Sequence, residues 1–543
     1  MAHVNPRKAR HVSHGNEMKP KKQLKYTMKK VIFTQEWMSM HPYTKADDVD
    51  LYYTNLANKI YNALDKSCFV HQFNDVQDAK YLALCVAAYF EDVISGTCIW
   101  KAFTSECMKR YGTYVPFYLK GAAFEKSLAH EQDNDIPEYD QDEINIADVK
   151  FLLWHHYQQS VFARENVPPL FGSIEVAAKM VYDVLNDEYE TAPENARMHE
   201  FLCTLPTDES HFYEYRNVLE WFHFGCYFNV YNRQRLMFAY QQLAASGQYN
   251  DAVAYSVRQT QLMESRNNLL ALSSAEWLAR ISEMHPEHKL WTEIDYRPAR
   301  FFSIDKEDGE YVYAKDMLQK DTIKVRKESF AIDNFEQFVK GEKIIVAAMF
   351  KFGEAWWLNG IMRELDNNKD TKKAVQEARD GFSHKLAVKD YNLLKEKGYG
   401  ARLIFANNIG DVKEFFESIG YKSKLPLSQL KDSKDIIIYG TPYTGINLAV
   451  NTAACICSSD NPFYNQAIAE ENCFNMICSN GGAFPYEISC MLLNSGMLPD
   501  ANVFTSKYIK DFGREVTQEN MQFLIDYHTM GRQDKDLSPQ DLW

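Results

Sequence analysis

The apolar residues of this chain change period part-way along, and no other feature limits the fold as much. From Asp50 to about Ile281 they recur every three or four residues, as along one face of a helix. Leu56, Ile60 and Leu64 lie one turn apart, and Ala177, Met180, Val181, Val184 and Leu185 follow the i, i+3, i+4, i+7, i+8 pattern. From Trp291 the texture differs. FFSID, EYVYAKD, TIKVRKESFAI, KIIVAAMFKF and EAWWLNGIM are short β-branched or aromatic runs separated by DG, QKD and KGEK, which is how strands joined by tight turns read. The expected fold is therefore α+β. A large N-terminal helical domain spans 31–285, a small β-barrel-like module 291–365, a short αβ segment 366–440 and a C-terminal helical region 441–543.

Finer expectations follow from caps and breakers. Tyr81–Ile94 is apolar enough to be buried on most sides, and Gly96 ends it. Asn145 is placed to accept from the Asp148 backbone N–H, and Ser173 to cap the next helix. Two long helices are expected over Phe212–Ala245 and Tyr249–Ile281, paired as in a solenoid. ARLIFAN, DVKEFFESIGY and DIIIYG read as β–α–β, and the chain reads helical from Ile446 onward.

Charge narrows the function classes. Acids outnumber Lys and Arg by 74 to 60, yet residues 1–30 hold nine Lys or Arg against one acid, Glu17. The body is thus more acidic than the formal net charge of −14 implies. An acidic body opposes broad contact with a phosphate backbone, so nucleic acid is expected only through the basic tail. That tail is expected to be disordered. Glu131–Glu143, with seven acids and Pro137, reads as an exposed linker. The longest apolar run, Tyr81–Phe90, is about half of what crosses a bilayer, so no membrane span is expected. Eleven cysteines, an odd number without a framework, fit free thiols in a reducing cytoplasm.

No catalytic or cofactor motif is complete. Glu91 and Asp92 end one helix, and Asp148, His155 and His156 lie on another. Carboxylates and imidazoles on neighbouring helices are the chemistry of a bundle metal site, but the spacing lacks Glu-x-x-His. Cys455, Cys457, Cys473, Cys478 and Cys490 lack the C-x2-C pairs of zinc sites and read as small buried hydrophobes. Asp366, Asn368, Asp370 and Glu377 match four calcium-loop positions, but Thr371 stands where that loop needs Gly. GTPYTGIN (440–447) has phosphate-loop glycines, but Ile446 and Asn447 replace its Lys and Ser/Thr. Asp511–Gly513 spells a kinase tripeptide without the other kinase elements. Trp356 and Trp357 adjoin on one strand, so one ring points inward and the other outward, where it would mark a contact surface.

Several phrases stand together: YFEDVISG (89–96), VPFY (115–118), DEINIADVKFLLWHHY (142–157), GMLPDA (496–501) and GREVTQENMQFL (513–524). In them the chain resembles an uncharacterised bacterial family, domain of unknown function 3843, over most of its length after residue 31. The resemblance implies a bacterial, cytoplasmic protein and carries over no catalytic residues. The residues themselves favour a non-enzymatic protein-interaction or scaffold role with a protein partner and no cofactor. Two alternatives stand beside it. One is a metal-dependent hydrolase or nuclease using Glu91, Asp92, Asp148, His155 and His156. The other is nucleic-acid binding through residues 1–30.

Overall fold

The computed structural model describes residues 29–119, 139–160, 166–203, 209–285, 295–332, 334–382, 385–400, 402–479, 482–504 and 510–529. The basic tail up to residue 28 and most of the acidic linker lie outside the described residues. The helical part begins with α1 (Thr34–Met38), α2 (Asp48–Lys66), α3 (Val76–Ser95) and α4 (Ile99–Tyr111). It continues with α5 (Ile146–Ser160), α6 (Gly172–Glu188), α7 (Ala196–Cys203), α8 (Phe212–Phe224), α9 (Val230–Ala245), α10 (Asp251–Glu264) and α11 (Ser274–Glu283). Helix α3 is buried nearly all round, as its composition requires, and Gly96 closes it at φ +63°. Among the described residues no single helix is long and apolar enough to cross a membrane.

Three local expectations are corrected. The Asn145 side chain donates its Nδ2 to Asp148 Oδ2 at 3.2 Å, and the Asp148 backbone N–H bonds instead to the Asn145 carbonyl oxygen at 3.1 Å. Helix α6 begins one residue before Ser173, whose hydroxyl is buried without a partner. Each of the two long helices is broken. Gly225 ends α8, and a loop carrying Leu270 and Ala271 at positive φ separates α10 from α11.

The strands are β1 (Tyr296–Glu307), β2 (Tyr311–Asp316), β3 (Thr322–Arg326), β4 (Lys343–Phe352) and β5 (Ala355–Asp366), with the short helix α12 (Glu336–Val339) between β3 and β4. Their order is β1-β2-β3-β5-β4, and β4 returns to β1. All pairs are antiparallel except β3 with β5, joined in parallel at Val325 and Trp356. Phe302, Ile304, Val312, Ala314, Val325 and Met349 fill the interior.

Then come α13 (Lys369–Phe382), α14 (Lys385–Glu396), β6 (Ile404–Asn408), α15 (Ile409–Ile419), β7 (Lys434–Thr441) and β8 (Gly445–Ala449). β6, β7 and β8 make an antiparallel sheet with its own core of Ile436, Ile438, Val412 and Phe416. The chain around Ile446 is therefore a strand, not the start of a helical region. GTPYTGIN is the β7–β8 hairpin, with no helix N-terminus behind it to hold an anion. Helices α16 (Gln466–Cys478), α17 (Tyr486–Asn494), α18 (Lys510–Glu519) and α19 (Met521–Thr529) finish the described chain. They share one hydrophobic core with α2–α11: Phe523 and Leu524 pack in the same cluster as Phe103 and Trp154. Tyr111 donates to Asp526 at 2.6 Å across that join.

Candidate functional site

A cleft of about 530 Å3 opens between α8 and α9. Each helix offers it one stripe. Asn217, Glu220, Trp221 and Phe224 come from α8, and Arg233, Leu236, Met237 and Tyr240 from α9, both spaced i, i+3, i+4, i+7. Ser39, His41, Pro42 and Phe201 form the floor, and Arg258 of α10 closes one side. Gly225 is required here. A Cβ on it would stand 2.9 Å from Trp221 Cδ1, so only glycine lets the indole fold back over the helix end. Trp221 Nε1 donates to Met40 O at 2.8 Å, which fixes the ring as one wall. Arg258 pairs with Glu220 through Nε at 2.7 Å and lies 4.9 Å from the Phe224 ring centroid. Arg233 is exposed, touches only Ser39 O at 3.4 Å, and has no carboxylate partner among the described residues.

A buried polar layer holds the floor. His41 Nε2 meets Glu91 Oε2 at 2.9 Å, and its Nδ1 meets Trp37 O at 3.0 Å. Burial alone lowers the imidazole, but the Glu91 carboxylate, the Trp37 carbonyl and Asp50 together outweigh it and hold His41 above its ordinary value. Asn195 donates to Glu91 Oε1 at 2.8 Å and to Tyr43 OH at 2.7 Å. Arg197 pairs with Asp50 and stacks 3.8 Å from the Tyr43 ring centroid. Asp50 is fully buried. Desolvation raises its carboxyl, but hydrogen bonds from the Asp47 backbone, Arg197 and Trp37 prevail and hold it below the usual range.

The five residues singled out from the sequence enter separate networks. Glu91 belongs to the layer just described. Asp92 caps α4, accepting from Ile99 N at 3.0 Å, Trp100 N at 2.7 Å, the Tyr227 hydroxyl at 2.8 Å and Thr97 Oγ1. Desolvation pushes its carboxyl up. Asp148 accepts from Tyr89 OH at 2.8 Å and Tyr139 OH at 2.9 Å, and burial raises it to about 6. His155 Nδ1 lies 2.9 Å from the Tyr527 hydroxyl. His156 is buried with neither ring nitrogen partnered among the described residues, and desolvation lowers it to about 3. Among the described residues no group of three or more His, Cys, Asp and Glu is placed to hold a metal ion. Asp366, Asn368, Asp370 and Glu377 lie at the end of β5 and along α13, not in one loop.

Trp356 and Trp357 do face opposite ways, but neither is exposed. Trp356 packs in the interior of the β1–β5 module under Arg297, at 4.7 Å. Trp357 belongs to the helical core and stacks on Phe212 of α8, centroids 4.5 Å apart. The ring that points out of the module is thus covered by α8 of the same chain and offers no exposed surface. Sequence reasoning passed over the cleft, although two i, i+3, i+4, i+7 stripes carrying Trp221, Met237 and Arg233 stand in it.

A family model described as Protein of unknown function (DUF3843) matches residues 31–350 and 364–530. The chain belongs to the DUF3843 family. No curated protein and no solved structure matches it. The DUF3843 match begins just before α1 and covers both walls of the cleft. Its internal gap removes most of β5, including Trp356 and Trp357.

Proposed function

We propose that this DUF3843 chain is a protein-interaction module whose α8–α9 groove receives an apolar, acidic helical segment of a partner protein. One observation carries the reading: a stripe of side chains from α8 and another from α9 line an open groove whose one unpaired charge among the described residues is Arg233. An amphipathic helix seats in such a groove through anchors one turn apart. Trp221, Met237 and Tyr240 are the kinds of side chain that dominate binding energy. Met237 is 51% exposed and Phe238 61%. In a chain richer in acids than bases, a free guanidinium beside an aromatic wall selects an acidic partner over a basic one.

The test is a displayed library of short helical peptides selected against the full chain, followed by fluorescence anisotropy of one selected peptide. Selected sequences should carry apolar residues four apart and an acid at the Arg233 end. Met237→Asp and Arg233→Glu should each weaken that peptide by about tenfold or more. No enrichment, or peptides that bind both variants as tightly as the native chain, would reject the groove as a docking site.

A further inference from the structure

The β1–β5 module carries a second surface of different chemistry. Along β2 and β3 the side chains alternate strictly. Val312, Ala314, Ile323 and Val325 point inward and are buried, while Tyr311, Tyr313, Lys324 and Arg326 point outward and are half-buried. The register sets Tyr311 opposite Arg326 and Tyr313 opposite Lys324, and on the other side Lys306 of β1 stands against Tyr313. Every ring is flanked by cations. Lys306 Nζ lies 4.3 Å from the Tyr313 centroid, Lys324 Nζ 3.6 Å from that of Tyr311, and Arg326 Cζ 4.8 Å from the same ring. Lys306, Lys315 and Lys324 make no ion pair within 4 Å among the described residues, although Lys324 acts electrostatically on the Asp308 carboxylate.

We propose that this face binds single-stranded nucleic acid, with Tyr311 and Tyr313 stacking two bases and Lys306, Lys324 and Arg326 meeting the backbone phosphates. The two rings sit about 7 Å apart along the strand, which suits two bases splayed from one another. Rings interleaved with cations are what a strand of exposed bases and phosphates requires. The β2–β3 face of a five-stranded Greek-key barrel is also where such barrels carry oligonucleotides. Three acids lie at the β1–β2 end, Glu307 on Lys327, Glu310 on Arg326 and Asp308 accepting from Tyr313 OH, and a fourth, Asp305, accepts from Thr322 at the Lys315 end. Binding through these cations falls steeply with salt.

The experiment is fluorescence anisotropy of a fluorescein-labelled oligothymidylate with the full chain at low salt, beside a duplex of equal length and heparin. Single strand should bind more tightly than duplex. A Tyr311→Ala/Tyr313→Ala variant should bind it at least tenfold more weakly. Lys324→Glu should do the same with a shallower salt dependence and tests the face without removing a ring. All three positions point away from the interior, so the thermal transition should be retained. Absence of binding, duplex bound as well as single strand, or equal affinity in both variants overturns the proposal. In the last case the charge lies elsewhere, the basic residues before Val31 first. Heparin bound without oligothymidylate overturns it as well.

Discussion

His156 offers the sharpest check on how the helical core is held. It is 1% exposed, its ring faces His155 and Tyr231, and neither nitrogen has a partner among the described residues. Replacing it with leucine removes two unsatisfied polar atoms at nearly constant volume. At pH 7 His156→Leu should therefore stabilise the fold by about 1–3 kcal/mol. The pH dependence is the stricter part. The imidazole titrates at about 3 in the fold against 6.5 when unfolded, so the folded chain holds it neutral. The stability from that neutral ring is fully present above 6.5 and is lost as pH falls from there toward 3. At pH 5 the unfolded chain has gained about 2 kcal/mol by protonating it. Other groups titrate too, His155 and His223 among them in the same direction. They do so in both proteins, so the advantage of His156→Leu should grow by about 2 kcal/mol between pH 7 and pH 5. Urea unfolding of the helical core, followed by far-UV circular dichroism at both pH values, measures it. An equal difference at the two pH values, or a variant destabilised at both, would refute the picture of a neutral, unsatisfied ring.

Gly513→Ala should destabilise by about 1–3 kcal/mol, although alanine normally improves a helix. A Cβ there would stand 2.4 Å from Asn502 Oδ1 and 2.5 Å from Phe504 Cδ2, and the melting temperature should fall, not rise. Asp92→Ala strips the acceptor from two backbone N–H groups and two hydroxyls, so it should cost about 3 kcal/mol or more. Asp92→Asn keeps one acceptor oxygen and should cost clearly less, which the same urea titration resolves.

The sequence pattern made the α+β class and most strand positions legible because periodicity is local. EYVYAKD and TIKVRKESFAI show their buried positions in the order of the letters, and β2 and β3 follow them. The helix breaks were hidden for a related reason. Gly225 is one glycine in an otherwise helical run, and its necessity comes from the Trp221 indole lying over it. Strand β8 was read as helix because GINLAV is short and apolar, which suits either element. The site residues were the least legible. His41 and Glu91 lie fifty positions apart, Tyr89 and Asp148 fifty-nine, and nothing in their spacing says which carboxylate meets which partner. Asp92 is the exception. It stands a few residues before Ile99 and Trp100, across a turn closed by Gly96, and could have been read as a cap.

The β1–β5 module bears on the groove as well as on its own surface. Trp357 stacks on Phe212 at the start of α8, and Gly360 lies under α10, where a Cβ would come within 3.4 Å of Gln259 Cγ. Helix α8 is one wall of the groove, and α10 supplies Arg258 to its side. The same strand thus braces two of the three helices that frame the opening. Its glycine, at φ +91°, allows α10 to approach that closely. Trp357→Ala should therefore do two things. Loss of a fully buried ring costs about 3–5 kcal/mol of stability. The freed end of α8 should also weaken peptide binding in the groove, although Trp357 does not line it. Phe338→Ala, inside the module and away from α8, separates the two effects. It should cost comparable stability and leave groove affinity unchanged at a temperature where both variants are folded. If both variants lose affinity alike, the strand is no brace and general loosening of the fold is the cause.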